Sequence, residues 1–118
     1  MKPLRYLFPL FFAVLSAPTL AADADAGLVV VKALGSVNGR ALACAETKIA
    51  ARAKELMLAH APKTQRFGTT YEEATQEAFL AQTRAAGTCP DATILTDRLN
   101  QLALQLADTL PVVAPAAK

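Results

Sequence analysis

Cys44 and Cys89 are the only cysteines in a chain of 118 residues, and they carry its most reactive side-chain chemistry. Their spacing is far from the C-x-x-C arrangement in which one thiol resolves a disulfide formed by the other. A widely separated pair in a small chain predicts a structural cross-link formed in an oxidising compartment. In the chain-entropy picture a ring of this span contributes about 4 kcal/mol, comparable to the whole net stability of a small domain.

The remaining candidates are sparse. Met57 and His60 are three residues apart, so they share one face of a helix, and both side chains bind soft or borderline metals. The chain has a single His, and its only other Met is Met1. A metal shell would therefore need carboxylates or a second subunit, because sulfurs locked in a disulfide are not thiolate ligands. The plainer reading packs Met57 in the core and leaves His60 at a helix end, where a cation suits the dipole.

Ser36 is the one serine beyond the N-terminal segment, and no G-x-S-x-G surrounds it. Glu72, Glu73 and Glu77 offer acid–base groups, but capping and solvation explain them better. There is no phosphate-cradling glycine loop and no dinucleotide fingerprint. These observations predict no catalysis and no cofactor. The segment Pro62-Lys63-Thr64-Gln65-Arg66-Phe67-Gly68 places two cations and an aromatic beside a helix start. Lys63, Arg66 and Phe67 are accordingly the candidate partner-binding residues, facing an acidic protein. The competing reading is a connector in which Phe67 staples onto the following helix.

The N-terminus has the three-part form of a secretory signal. Lys2 and Arg5 precede an uncharged apolar run from Leu7 to Leu15, and small residues at 21–24 provide a cleavage site. Residues 1–22 are read as a signal peptide, so the mature protein is expected to be periplasmic or extracellular. The apolar run is too short and too broken by Pro9 and Pro18 to span a membrane, which takes about 20 apolar residues. Lys2 and Arg5 leave with the signal. The ten remaining Lys and Arg then balance ten Asp and Glu. A neutral chain without a clustered basic excess argues against nucleic-acid binding. Stable membrane insertion after cleavage is not expected either.

Helices must position these groups. A stripe of Val31, Leu34, Ala41, Leu42, Ala45, Ile49, Ala53 and Leu56 predicts an amphipathic helix over Gly27–Ala61. Asn38-Gly39 is a turn-forming dipeptide that could break it in two. Pro62 ends it. Thr70 and Glu73 form a capping box for a second helix running to Ala86 and stopped by Gly87. Thr88 and Asp91 start a third, and Leu95, Leu99, Leu102, Leu106 and Leu110 give it the strongest periodicity in the chain. Phe67, Tyr71, Phe79, Leu80 and Ile94 complete the large apolar set.

The predicted fold is a small all-α bundle over 23–110, stapled by Cys44–Cys89. It has three helices, or four if the first breaks near Asn38-Gly39. Residues 111–118 are expected to be a disordered Pro/Ala tail. Function is predicted by elimination: an exported binding or accessory protein acting through a protein partner. A small-ligand or metal carrier using Met57 and His60 in a pocket between helices is the alternative, and a carboxylate-based enzyme a third.

Overall fold

The structure, a computed structural model, describes residues 20–85 and 87–112, with side chains from residue 25 onward. Most of the expected signal peptide and the tail from residue 113 lie outside the described residues. Among the described residues four α-helices follow one another: α1 (Leu20–Ala43), α2 (Thr47–His60), α3 (Gln65–Arg84) and α4 (Ala92–Thr109). The expected cleavage region, residues 21–24, forms the first turns of α1 in the uncleaved chain.

The first predicted helix is two helices, but the break is not at Asn38-Gly39. Helix α1 runs straight through that dipeptide and ends at Ala43. Asn38 is held in the helix because it is buried and its side-chain amide donates to the Thr75 hydroxyl at 3.2 Å. The chain turns instead at Cys44–Glu46, where Ala45 adopts a positive φ of 58°. The Glu46 amide donates to Ala41 O at 2.8 Å, a tight closure that reverses direction within three residues. Cys44 therefore sits at a helix end, not at mid-helix.

Two other boundaries also move. The cap of α3 lies six residues before Thr70, at Thr64, whose hydroxyl accepts from the Phe67 amide. Thr70 lies inside the helix and donates to Arg66 O at 2.8 Å. The segment read as a loop after Pro62 is thus helical from Gln65, and Glu72 and Glu73 lie beyond its first turn. The cap of α4 is Asp91, not Thr88, since its carboxylate accepts from the Thr93 amide at 3.0 Å. Thr88 instead donates to Ala85 O in the α3–α4 loop.

Helix directions follow from the pairs that meet. Arg66 reaches Asp25, Thr75 reaches Asn38, and Cys89 is bonded to Cys44. Helix α3 thus runs parallel to α1, while α2 and α4 run antiparallel to it. Helix α1 is the axis of the fold: α2 and α4 pack on it and on each other, whereas α3 lies along α1 alone. Val31, Leu34, Leu99, Leu102 and Leu106 are the largest fully buried side chains. Burying each leucine contributes about 1.5–3 kcal/mol. The predicted leucine stripe of α4 is therefore the core surface it was read to be.

The α1–α3 contact is built differently. A Cβ on Gly35 would lie 2.6 Å from Tyr71 O, and one on Gly39 would lie 2.8 Å from Phe79 N and 2.9 Å from Ala78 Cβ. Two glycines one turn apart let the backbone of α3 rest on that of α1, and Ala74 fills the seam. The cost is that α3 contributes few large side chains to the core. Leu42, Phe79, Leu80 and Ile94, expected inside, are exposed.

Candidate functional site

Because α3 is held close to α1 but does not approach α2, a channel is left between α2 and α3 with α1 as its floor. Two adjoining recesses of about 300 and 380 Å³ form it, sharing Asn38, Leu42 and Tyr71. The α3 wall presents Tyr71, Glu72, Thr75 and Phe79. The α2 wall presents Thr47, Ala50, Ala51 and Lys54. Helical spacing explains both walls. Residues 47, 50, 51 and 54 recur at three and four, as do 71, 72, 75, 76 and 79 in pairs one turn apart.

The groove is mostly apolar. Leu42 is 47% exposed on its floor and Phe79 38% exposed on its wall. Polar groups lie at the base, where the Asn38 amide donates to Thr75 and Thr75 in turn donates to Tyr71 O. The Tyr71 hydroxyl is buried and has no hydrogen-bond partner among the described residues. Burial pushes this phenol up to about 12, because the phenolate loses its hydration. A buried hydroxyl without a partner costs about 1–3 kcal/mol. Tyr71→Phe is therefore expected to leave stability unchanged or raise it slightly, as measured by denaturant midpoint.

The same variant has a pH signature. With the folded phenol raised above its unfolded value near 10.0, stability does not depend on its ionisation below pH 10. It declines as pH rises through 10 towards 12, where the unfolded chain has released a proton that the folded chain retains. The wild-type protein should lose more stability over that window than Tyr71→Phe. Equal losses would mean that the phenol is not buried in solution.

The residues singled out in the sequence lie elsewhere. Phe67 is buried in the core, so the Pro62–Gly68 segment offers its two cations without an aromatic surface. Lys63 donates to Leu58 O at 2.6 Å, and Arg66 forms an exposed ion pair with Asp25 at 3.1 Å. Met57 packs against the core. His60 Nδ1 donates to Leu110 O at 2.7 Å, tying the end of α2 to the end of α4. Among the described residues no three of His, Cys, Asp and Glu cluster in a metal-binding arrangement. Cys44 and Cys89 form the expected disulfide, with Cα atoms 5.8 Å apart. It clamps the start of α4 to the α1–α2 turn. Among the described residues no helix is long and apolar enough to cross a membrane.

The groove itself escaped the sequence reading. Its signal is a second face of small residues on α2, Thr47, Ala50 and Ala51, which the single apolar stripe read for that segment does not include. Comparison with known protein families, with characterised proteins and with solved structures gives no match.

Proposed function

We propose that the protein is an exported, non-catalytic binding module that works by seating a polypeptide in the groove between α2 and α3. The observation that carries this reading is the groove: an apolar floor and walls, held open by two helices fixed independently to α1. Half-exposed Leu42 and Phe79 are what a docked chain would cover, and apolar surface buried at the centre of an interface is where binding energy concentrates. Export rests on the signal-like N-terminus and agrees with a disulfide in the mature domain.

Photo-crosslinking in the native envelope tests the reading. A photoreactive residue at Gln76, on the groove side of α3, should give polypeptide adducts. The same residue at Glu77, on the opposite side of that helix, should not. Recovered protein should begin between Ala22 and Asp25. Equal labelling from both positions, or none from either, would remove the groove from the functional account.

A further inference from the structure

We infer that Cys89 is a site of reversible S-thiolation, at which an anionic low-molecular-weight thiol opens the Cys44–Cys89 bridge by exchange. The site shares no lining residue with the groove and stands independently of it.

A recess beside the bridge carries this. Arg40, Ala81, Gln82, Thr88 and Pro90 enclose about 340 Å³ against the α3–α4 loop. Thr88 and Pro90 are the chain neighbours of Cys89, so the recess opens beside that residue. Cys89 is exposed, whereas Cys44 is half-buried in the α1–α2 turn. An approaching thiolate therefore meets Cys89 first, and access helps decide which sulfur is attacked. The Gln82 side-chain amide is held there by donating to Thr88 O at 3.2 Å, and it donates to Cys89 Sγ at 3.9 Å. It thus offers a hydrogen to a sulfur on which negative charge builds during exchange.

Arg40 sets the class of thiol. The Cys44 amide donates to Arg40 O at 3.0 Å, which puts Arg40 one turn before the bridge on α1. Arg40 is exposed and has no ion-pair partner among the described residues, where the one ion pair is Arg66–Asp25. The acids nearest the two cysteines in sequence are Glu46 and Asp91. Neither lines the recess, and the Asp91 carboxylate is turned to the Thr93 amide. The fixed charge that an entering thiol meets is positive. A thiol carrying a carboxylate or sulfonate gains from it, and one carrying an ammonium loses.

In the exchange, the incoming thiolate sulfur bonds to Cys89 Sγ as the Cys44–Cys89 bond breaks. The electron pair of the broken bond leaves on Cys44 Sγ, which takes a proton from water. Cys89 keeps the incoming group as a mixed disulfide, Cys44 becomes a free thiol, and no electrons are gained or lost overall. The reverse attack, by the Cys44 thiolate on Cys89 Sγ, expels the thiol and restores the bridge. While it is open, the α3–α4 loop is released from the α1–α2 turn.

Three thiols of one length test this: mercaptoethanesulfonate, mercaptoethanol and cysteamine, which are anionic, neutral and cationic. Each is added to the native protein at equal thiolate concentration, and initial rates are read by acid quenching, alkylation of free thiols and peptide mapping. The same reactions on urea-unfolded protein give each thiol's intrinsic rate. After division by that rate, the sulfonate should react at least about fivefold faster than cysteamine. Its adduct should map to Cys89, with Cys44 alkylated. Arg40→Gln should bring the three thiols together, and Arg40→Glu should invert their order, with helical circular dichroism confirming the fold of each variant. Adducts mainly on Cys44, an order unchanged in Arg40→Glu, or a bridge that opens only on unfolding overturns the inference.

Discussion

Replacing Cys44 and Cys89 together with alanine is expected to destabilise the protein by about 2–5 kcal/mol and to lower its melting temperature by at least about 10 °C. The size follows from the position of the bridge. It joins the α1–α2 turn to the entry of α4, and the α3–α4 loop between Ala85 and Asp91 has little else to hold it. Gln82 Nε2 donating to Thr88 O at 3.2 Å is an exposed contact that cannot replace a covalent clamp. The loss should be largely in the unfolded state, where the open chain regains loop freedom, so the helical content of the folded variant should stay close to the original. Thiol labelling of the unreduced, denatured wild type should find no free cysteine. An unchanged melting temperature in the double variant would show that the bridge is incidental to stability.

Gly39→Ala is expected to be the most damaging single methyl in the protein, at about 3 kcal/mol. The added Cβ meets backbone of α3, most closely Thr75 O and then Phe79 N at 2.8 Å, rather than the movable end of a side chain. Relief requires α3 to lift from α1, which also pulls Asn38 from Thr75 and opens the groove wall. Gly68→Ala supplies the control, because a Cβ there meets nothing within 4 Å. That change should stabilise α3 by about 0.5–1 kcal/mol through helix propensity alone. Chemical denaturation of both variants settles the matter: similar effects at the two sites would mean that α1 and α3 are not in backbone contact.

What could be read from the sequence was whatever depends on side-chain periodicity. The spacing of Leu95, Leu99, Leu102 and Leu106 fixes a buried face, because large apolar residues at three and four have nowhere else to go. The two cysteines could be paired because no others compete. Asn38-Gly39 misled, since a glycine inside a helix looks like a break until the neighbouring backbone that requires it is known. Thr70-Glu73 had the form of a cap, but Thr64 offered another at the first residues free of Pro62, and the longer helix buries Phe67. The groove was invisible for a related reason. It exists because α3 was drawn to α1 by small residues and not to α2 by large ones, a fact about the distance between helices that no single helix encodes.

The position of the disulfide has a consequence for survival among proteases. Residues 45–88, with all of α2 and α3, form a covalent ring closed through the two sulfurs. The exposed connector at Pro62–Thr64 lies on that ring, and Lys63 within it is an accessible target for trypsin-like enzymes. A single cut there opens the ring but detaches nothing, because the two pieces remain joined by the sulfur bridge. Each half also keeps its seat on α1, α2 through the core and α3 through its glycine seam. The nicked molecule would therefore gain the mass of one water and keep its shape, separating into two fragments only after reduction and unfolding. The same bond that steadies the fold therefore also holds the cut chain together.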